Sequence, residues 1–407
     1  MLARQFDLFT PTMSARPSIA EELRAFVYAG NETVVESRNG VPFFFNEFWT
    51  ARQRQASRLH EISYRACFKP QLPEFFISRL TSPGESVYDP FMGRGTTPVQ
   101  AALMGRTAVG NDVNPLSALL TAPRLTPPSL GAINSRLREV DWSYGGTMDE
   151  NLLVFFHPST LSQIYALRTW LSERTQTGRL DVVDAWIRMV AINRLTGHSS
   201  GFFSVYTLPP NQAVSVDSQR KINAKRNQIP PKRDVASIIL KKSRILLSDN
   251  TPAFSSEHIL RSGSAESTPE IDSSSISLVV TSPPFLDVVQ YAADNWLRCW
   301  FAGLDAGAVP IAMHKNPKDW TTFIRKTFVE LSRVVRSGGH IAFEVGEVRN
   351  GTIELENLVI EATQGLPLEI IGVLVNVQEF TKTANCWGVH NNSKGTNTNR
   401  VVIMRRS

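Results

Sequence analysis

The sequence predicts an α/β fold in which a doubly wound, mostly parallel sheet is interrupted by a helical insertion. Short apolar runs alternate with helical patterns over residues 56–125 and again over 271–407. Strands that alternate with helices in this way form parallel sheets covered by helices. The segment between the two parts, 126–270, has helical periodicity and no repeat, so we expect one sheet with an insertion.

The first part of the predicted sheet is a strand, a turn, a helix and a second strand. SVYDPF, at 86–91, has the pattern of a strand, and GRGTT, at 93–97, has the composition of a tight turn. PVQAALMG then predicts a helix that ends at Gly105, and RTAVGNDV predicts a strand that ends in an acidic residue, Asp112.

The remaining segments differ in composition. Residues 1–55 are predicted to be an N-terminal extension with an aromatic cluster at 43–49, either packed on the domain or forming an arm that faces the substrate. In the insertion, LSQIYALRTWLSER and VVDAWIRMVAINRL predict helices. The last third returns to the strand patterns SISLVV, IAFEV, GVLVNVQEF and RVVIMRR, with helices near 290–303 and 319–335. We therefore assign 56–125 and 271–407 to one catalytic domain.

Charge, hydropathy and cysteine content exclude several classes of protein. The chain has 43 Lys and Arg against 37 Asp and Glu, and its pI near 9.3 suits a polyanionic partner. Neither a signal-peptide pattern nor a run of about 18 apolar residues occurs, so we expect a cytoplasmic protein without a membrane span. The three cysteines and seven histidines lack metal-ligand spacing, so we expect no bound metal and no disulfide framework.

The segment DPFMGRGTT, at 89–97, is the first candidate site. Gly93 and Gly95 allow the backbone to approach a ligand, and free N–H groups at the start of the next helix favour an electronegative group. Asp112 ends the following strand, where a carboxylate accepts hydrogen bonds from ribose hydroxyls. The pattern indicates a nucleoside cofactor, although a plain turn with Asp112 as a helix cap also fits it.

The segment TSPPF, at 281–285, directly follows a buried strand and is the second candidate site. The two prolines fix two φ angles and remove two donors, which leaves the carbonyls and the Ser282 hydroxyl as rigid acceptors. Acceptors that bind the hydrogens of an amino group on a planar base favour a pyramidal nitrogen. Phe285 offers a ring that stacks on a base turned out of its duplex.

Together, DPFMGRGTT and TSPPF resemble the cofactor and catalytic motifs of the amino-group DNA methyltransferases, which act on N4 of cytosine or N6 of adenine. FKPQLP, at 68–73, and the turn at 338–340 resemble two further segments of that family. The resemblance covers about 60–125 and 275–405, and it implies a class I methyltransferase-like sheet with S-adenosylmethionine as the cofactor. The chain departs from many members in motif order, because the cofactor motif comes first and about 185 residues separate the two.

The motifs and the resemblance assign a role to each candidate residue. The cofactor site comprises Phe68, Lys69, Pro70, Asp89, Pro90, Phe91, Gly93, Gly95, Thr96, Thr97, Asp112, Asn114 and Thr281, and catalysis falls to Ser282, Pro283, Pro284 and Phe285. The family's acidic residue after the third strand is left open between Ser264 and Glu266.

A basic stretch in the insertion is the candidate DNA-binding surface. It contains Arg220, Lys221, Lys225, Arg226, Lys232 and Arg233, with Asn223, Asn227 and Gln228 as candidate readers of base edges. A solvated charged face is the other interpretation of this stretch. The polar loop at 385–400 is a second candidate for contact with DNA, or a simple hairpin.

We therefore expect a site-specific DNA methyltransferase that transfers a methyl group from S-adenosylmethionine to N4 of cytosine and associates with the nucleoid. Ser282 favours cytosine, because family members that methylate adenine more often carry Asp or Asn at this position. Methylation of adenine N6, of RNA or of a protein amide, and a silent DNA-binding module of the same fold stay open as alternatives. A cognate restriction endonuclease is a candidate partner, and the oligomeric state is not predicted.

Overall fold

The computed structural model describes residues 17–49, 56–64, 67–207, 213–249, 257–286, 291–310, 314–346, 353–377 and 398–407. The strands are β1 (Val27–Tyr28), β2 (Asn31–Glu32), β3 (Val34–Arg38), β4 (Val41–Asn46), β5 (Ser86–Asp89), β6 (Thr107–Asp112), β7 (Ile259–Ser262), β8 (Ile276–Thr281), β9 (Val335–Val345), β10 (Leu368–Val377) and β11 (Thr398–Arg406). The α-helices are α1 (Ile19–Arg24), α2 (Gln71–Leu80), α3 (Thr96–Leu103), α4 (Pro115–Leu125), α5 (Leu130–Glu139), α6 (Pro158–Gln176), α7 (Val182–Arg194), α8 (Val216–Arg226), α9 (Val235–Leu246), α10 (Tyr291–Ala302), α11 (Pro317–Val334) and α12 (Leu355–Ala362).

The main sheet has the strand order β3-β4-β10-β11-β9-β8-β5-β6-β7. Strands β5 to β9 pair in parallel with one another, and β11 runs antiparallel between β9 and β10. From β5 the chain proceeds through β6 and β7 to one edge, and from β8 through β9 toward the other. The adjacent strands β5 and β8 therefore flank a topological switch point, where open α/β sheets bind their ligands.

Helices cover both faces of this sheet. Alternate residues of each central strand point to opposite faces, so Val87 joins a core with α2, α3 and α4, and Tyr88 joins a second core with α11 and α12. Every residue of β8 is buried, as expected for a central parallel strand covered on both faces. These features confirm the predicted α/β, doubly wound and mostly parallel fold class.

The helices between β6 and β7 are joined by buried polar contacts as well as by apolar packing. Asp184 on α7 is buried, forms an ion pair with Arg136 of α5, and accepts a hydrogen bond from Arg174 Nε of α6 at 2.6 Å. Trp186 Nε1 donates to Ser243 Oγ of α9 at 3.0 Å. Because a buried carboxylate without a partner costs several kcal/mol in folding free energy, these contacts fix how the four helices pack.

The sheet also includes strands from segments predicted to lie outside the catalytic domain. β4, from the N-terminal extension, pairs in parallel with β10, so that Phe43 lies opposite Val373. β7, from the segment 126–270, pairs in parallel with β6. The division into an extension, a catalytic domain and an insertion stays a prediction, and two of its segments contribute strands to the shared sheet.

Among the described residues, no helix is both long and apolar enough to cross a lipid bilayer.

Candidate active site

A cavity of about 940 Å³ lies at the carboxyl ends of β5, β6, β8 and β9. The predicted site residues that line it are Phe68, Asp89, Pro90, Phe91, Gly93, Thr96, Asp112, Asn114, Ser282, Pro283, Pro284 and Phe285. The cavity is at the upper end of the usual range of roughly 300–1,000 Å³ for a small-molecule site. It therefore has room for a nucleoside cofactor and for a second planar group beside it.

The glycine-rich turn between β5 and α3 has different roles for its two glycines. Gly95 has a φ of 76°, and a Cβ at this position would lie 2.2 Å from Thr121 Oγ1. Only glycine fits there without displacing α4, so Gly95 shapes the turn from behind and does not line the cavity. Gly93, with a φ of 50°, does line it.

Asp112, at the end of β6, holds the turn and its own strand end together. Its carboxylate accepts hydrogen bonds from the Gly93 N–H at 2.8 Å and from the Asn114 N–H at 2.9 Å. Burial raises the pKa of Asp112, and these two bonds oppose that rise. Since each carboxylate oxygen has two lone pairs, Asp112 retains acceptor capacity toward the cavity.

Asp89 connects the two sequence motifs. Its carboxylate accepts a hydrogen bond from Thr281 Oγ1 at 2.6 Å and one from the Phe91 N–H at 3.1 Å. Thr97 Oγ1 donates to the carbonyl of Val280 at 3.0 Å, which adds a second link between the motifs. Burial raises the pKa of Asp89 to about 7, against the opposing effect of the Thr281 hydrogen bond.

The TSPPF segment leaves β8 at the same edge of the sheet. Trp320 Nε1 of α11 donates to the carbonyl of Pro284 at 2.8 Å, so this carbonyl already has a partner within the protein. The ring of Phe285 lines the cavity and packs against the core below it. The Trp320 contact anchors the second half of the motif, while Ser282 and Pro283 also line the cavity.

Sequence reasoning missed two polar residues next to Ser282. Glu344 on β9 and Asn399 on β11 line the cavity, and Asn399 Nδ2 donates to Glu344 Oε1 at 2.9 Å. Burial raises the pKa of Glu344, while hydrogen bonds with Ser282 and Asn399 oppose the rise. One feature of the sequence points to Glu344, because it is an acidic residue within the apolar strand IAFEV. Which residues lie beside it depends on strand pairing, which the sequence does not show.

Aromatic residues line another part of the cavity. The Phe91 and Phe323 ring centroids are 5.8 Å apart, and the rings of His314 and Phe323 are 5.2 Å apart. Ser264 and Glu266, the two candidates for the position after the third strand that is acidic in the family, both line this cavity. Glu266 Oε1 lies 3.6 Å from Lys326 Nζ. Phe323 was missed because only its helical spacing is visible in the sequence.

Several residues predicted for the cofactor site do not line the cavity. They are Lys69, Pro70, Gly95, Thr97 and Thr281. Thr97 and Thr281 are buried and form the links between the motifs described above, and Pro70 is the N-cap residue of α2. Tyr64, which was not predicted, lines the cavity and receives a hydrogen bond from Asn114 Nδ2 at 3.4 Å.

The candidate DNA-binding residues lie on α8 and in the segment that leads to α9, and none of them lines the cavity. Lys221, Lys225 and Lys232 are exposed. Arg220 pairs with Asp217 at 2.8 Å, and the guanidinium of Arg226 lies 3.8 Å from the centre of the Tyr206 ring. Arg233 is half-buried, and its backbone N–H donates to Thr160 Oγ1 at 2.8 Å.

Two candidate base readers have internal partners instead. Asn223 Nδ2 donates to the carbonyl of Val154 at 2.7 Å, and Gln228 Nε2 donates to the carbonyl of Tyr206 at 3.0 Å. Asn227 ends α8 with a φ of 46°. The role of Asn223 and Gln228 as base-edge readers stays a prediction, and in this structure both amides bind backbone carbonyls. The loop at 385–400, the second candidate for contact with DNA, lies mostly outside the described residues.

Comparison with known proteins relates this chain to DNA methyltransferases. Residues 21–118 match a family model for N6 and N4 methyltransferases, described as DNA methylase. Type II methyltransferase M.MjaII of Methanocaldococcus jannaschii is 37% identical over 76 residues, which cover 18% of this chain and 14% of that protein. Type II methyltransferase M.BsoBI of Geobacillus stearothermophilus is 20% identical over 287 residues, covering 60% of this chain and 52% of that one.

A third relative, Type II methyltransferase M.MvaI of Kocuria varians, is 31% identical over 83 residues, or 20% of this chain and 18% of that protein. The chain thus spans about half or less of the length of these relatives. The family match includes the glycine-rich turn and Asp112, and it ends before TSPPF. These matches support a methyltransferase related to the amino-group DNA enzymes.

Proposed function

We propose that this protein is a site-specific DNA methyltransferase that transfers a methyl group from S-adenosylmethionine to the exocyclic N4 of cytosine. One observation carries the proposal: the glycine-rich turn and the TSPPF segment meet at one cavity. The hydrogen bond of 2.6 Å between Thr281 and Asp89 joins them, which leaves Ser282 at the cavity wall. A cofactor turn beside a rigid set of acceptors is the arrangement that methylation of an amino group requires.

S-adenosylmethionine fits the residues around the turn. Asp112 has acceptor capacity for the ribose hydroxyls, and Gly93 lets the backbone approach the ligand. Phe91 and Phe323 offer an aromatic surface for the adenine ring. When bound, the cofactor supplies an electrophilic methyl group.

Ser282 and the backbone of Pro283 orient the amino group of the target base. The nitrogen lone pair of such a group is delocalised into the ring, so it is a poor nucleophile until its hydrogens are held by acceptors. Phe285 provides the ring against which a flipped base stacks. Orientation of two bound reactants accounts for roughly 7–11 kcal/mol of barrier lowering in favourable cases, so positioning supplies much of the rate.

Cytosine N4 is favoured over adenine N6 by Ser282, through the family resemblance of the TSPPF segment. Methylation of ring carbon 5 needs a thiolate nucleophile. Cys67 is the cysteine that lines the cavity among the described residues, and burial raises the pKa of its thiol. The thiol therefore stays protonated, which argues against a covalent mechanism.

DNA is the proposed partner, and the exposed lysines of α8 and of the segment before α9 form its proposed contact surface. Because the relatives are named Type II methyltransferases, we also propose that the protein acts beside a cognate restriction endonuclease.

The Ser282→Ala variant tests the proposed role of the TSPPF segment. We expect S-adenosylmethionine and DNA to bind with nearly unchanged affinity, because the amino group is the only part of either ligand that Ser282 is proposed to contact. The methyl-transfer rate should fall at least about tenfold, which corresponds to roughly 1.4 kcal/mol of transition-state stabilisation. Calorimetry and single-turnover assays with DNA measure both quantities. A folded variant that transfers methyl groups at the wild-type rate would remove Ser282 from the mechanism.

A further inference from the structure

Glu344 lies beside the proposed catalytic serine on the neighbouring strand. In the parallel pairing of β8 with β9, Thr281 is opposite Phe343. Glu344 is the next residue of β9, and Ser282 directly follows the end of β8. Glu344 is only 5% exposed and lines the cavity. Its position is fixed from the other side by Asn399 Nδ2, which donates to Glu344 Oε1 at 2.9 Å.

The hydrogen bond between Ser282 and Glu344 determines what the serine offers to a ligand. A hydroxyl has one proton and two lone pairs, whereas an ionised carboxylate only accepts. The bond therefore uses the Ser282 proton, and Ser282 Oγ, at the wall of the cavity, keeps lone pairs that can accept a hydrogen bond. Because the Ser282 oxygen then only accepts, it binds an N–H donor, such as an amino group on a base, better than a carbonyl or a ring nitrogen, which are acceptors themselves.

We propose that Glu344 is a positioning residue that fixes the Ser282 hydroxyl as an acceptor for the target amino group and receives its proton after methyl transfer. This inference rests on the proposed function. After transfer, the methylated nitrogen carries a positive charge and an extra proton. Its N–H bond breaks as an O–H bond forms on Ser282, and the original Ser282 proton forms an O–H bond with Glu344. The base becomes neutral, and Glu344 becomes a carboxylic acid.

The surroundings of Glu344 suit this task. Burial raises the pKa of its carboxyl from the ordinary value, which makes it a stronger proton acceptor than an exposed glutamate. On the neighbouring strand β11, Arg400 follows Asn399 and forms an ion pair with the buried Glu356. Glu356 therefore takes up the positive charge of Arg400.

The Glu344→Gln variant is the direct test, because glutamine has nearly the same shape but does not take the proton. We expect unchanged affinity for S-adenosylmethionine, a KM for DNA within about twofold of the wild-type value, and a single-turnover rate at least about tenfold lower. Glu344→Asp, which keeps the carboxylate, should recover part of the rate. A structural role alone would not separate the rate from the binding constants in this way.

The control is Glu330→Gln, since Glu330 also accepts a hydrogen bond from a hydroxyl, Thr268 Oγ1 at 2.6 Å, but does not line the cavity. We expect its transfer rate to equal that of the wild type. If Glu344→Gln does not fold, Asn399→Ala provides a second test, with a rate about threefold or more below the wild type.

Three outcomes are distinguishable. A slow Glu344→Gln variant with intact binding supports the inference. A folded Glu344→Gln variant, or in its place Asn399→Ala, with the wild-type rate overturns the inference and leaves the proposed function standing. A wild-type protein that transfers no methyl group to DNA overturns the proposed function, and the role of Glu344 with it.

Discussion

At the scale of single residues, Asp89 has the most demanding environment of the site. It is almost fully buried and receives hydrogen bonds from Thr281 and from the Phe91 backbone. Burial outweighs these bonds and raises its pKa to about 7. Asp89 therefore changes its charge near neutral pH, in a position that joins the two motifs.

This pKa predicts how stability depends on pH. An unfolded aspartate titrates near about 3.9, so between about pH 4 and pH 7 the folded protein holds a proton that the unfolded chain has lost. The contribution of Asp89 is fully present below about pH 4 and is lost as the pH rises toward 7. The Asp89→Asn variant lacks this titration.

The stability of the wild type relative to Asp89→Asn should therefore decrease with rising pH, by at most about 1.4 kcal/mol per pH unit within that window. Denaturant unfolding of both proteins without cofactor, from pH 4 to pH 8, measures the difference, and the other titrating groups cancel in the comparison. Parallel stability profiles would show that Asp89 is ionised throughout.

At the scale of elements, the sequence predicted those helices and strands that depend only on the pattern of neighbouring residues. The strand before DPFMGRGTT, the helix after it and the strand to Asp112 follow from apolar periodicity and from the glycines. The positions of Glu344 and Asn399 did not follow, because they depend on the pairing of β9 with β8 and with β11. That pairing joins residues more than fifty positions apart, and no local pattern encodes it.

The basic stretch shows the same limit. Neither α8 nor α9 was predicted from the sequence, and the sequence did not indicate that Asn223 and Gln228 bind the backbone of Val154 and Tyr206. These amides fold back because α8 packs on the segment before α6, which is a tertiary contact. The lysines of the stretch remain at the surface, so we place its proposed DNA contacts on them.

Replacing Lys221, Lys225 and Lys232 together with alanine should weaken DNA binding and flatten its dependence on salt. Each phosphate contact that is lost removes about 0.9 from the slope of log K against log salt, because fewer counterions are released. Affinity for S-adenosylmethionine should not change, since these residues do not line the cavity. Fluorescence anisotropy at several salt concentrations measures the slope.

A matched control replaces three exposed arginines elsewhere, Arg24, Arg138 and Arg179, with alanine. It removes the same charge and should leave the slope close to the wild-type value. Equal slopes for the two triple variants would show that the face carrying Lys221, Lys225 and Lys232 is merely solvated and that DNA binds elsewhere.

At the scale of the whole molecule, the site is a consequence of topology. The chain leaves the middle of the sheet in two directions, so β5 and β8 end side by side although about 185 residues separate their motifs. Helices pack on both faces of the sheet and bury its central strands. The fold class was predictable because strands that alternate with helices allow few topologies. The place of β3 and β4 in the sheet was not predictable, since β4 joins the sheet through β10, which lies far along the chain.

The most direct test of the central claim is to identify the base that this protein methylates. Wild-type protein is incubated with DNA and S-adenosylmethionine labelled in its methyl group, and the DNA is digested to nucleosides for mass spectrometry. We expect the label on N4-methylcytosine and its loss with Ser282→Ala. Label only on N6-methyladenine would contradict the choice of base, and DNA without label would contradict the proposal that this cavity methylates DNA.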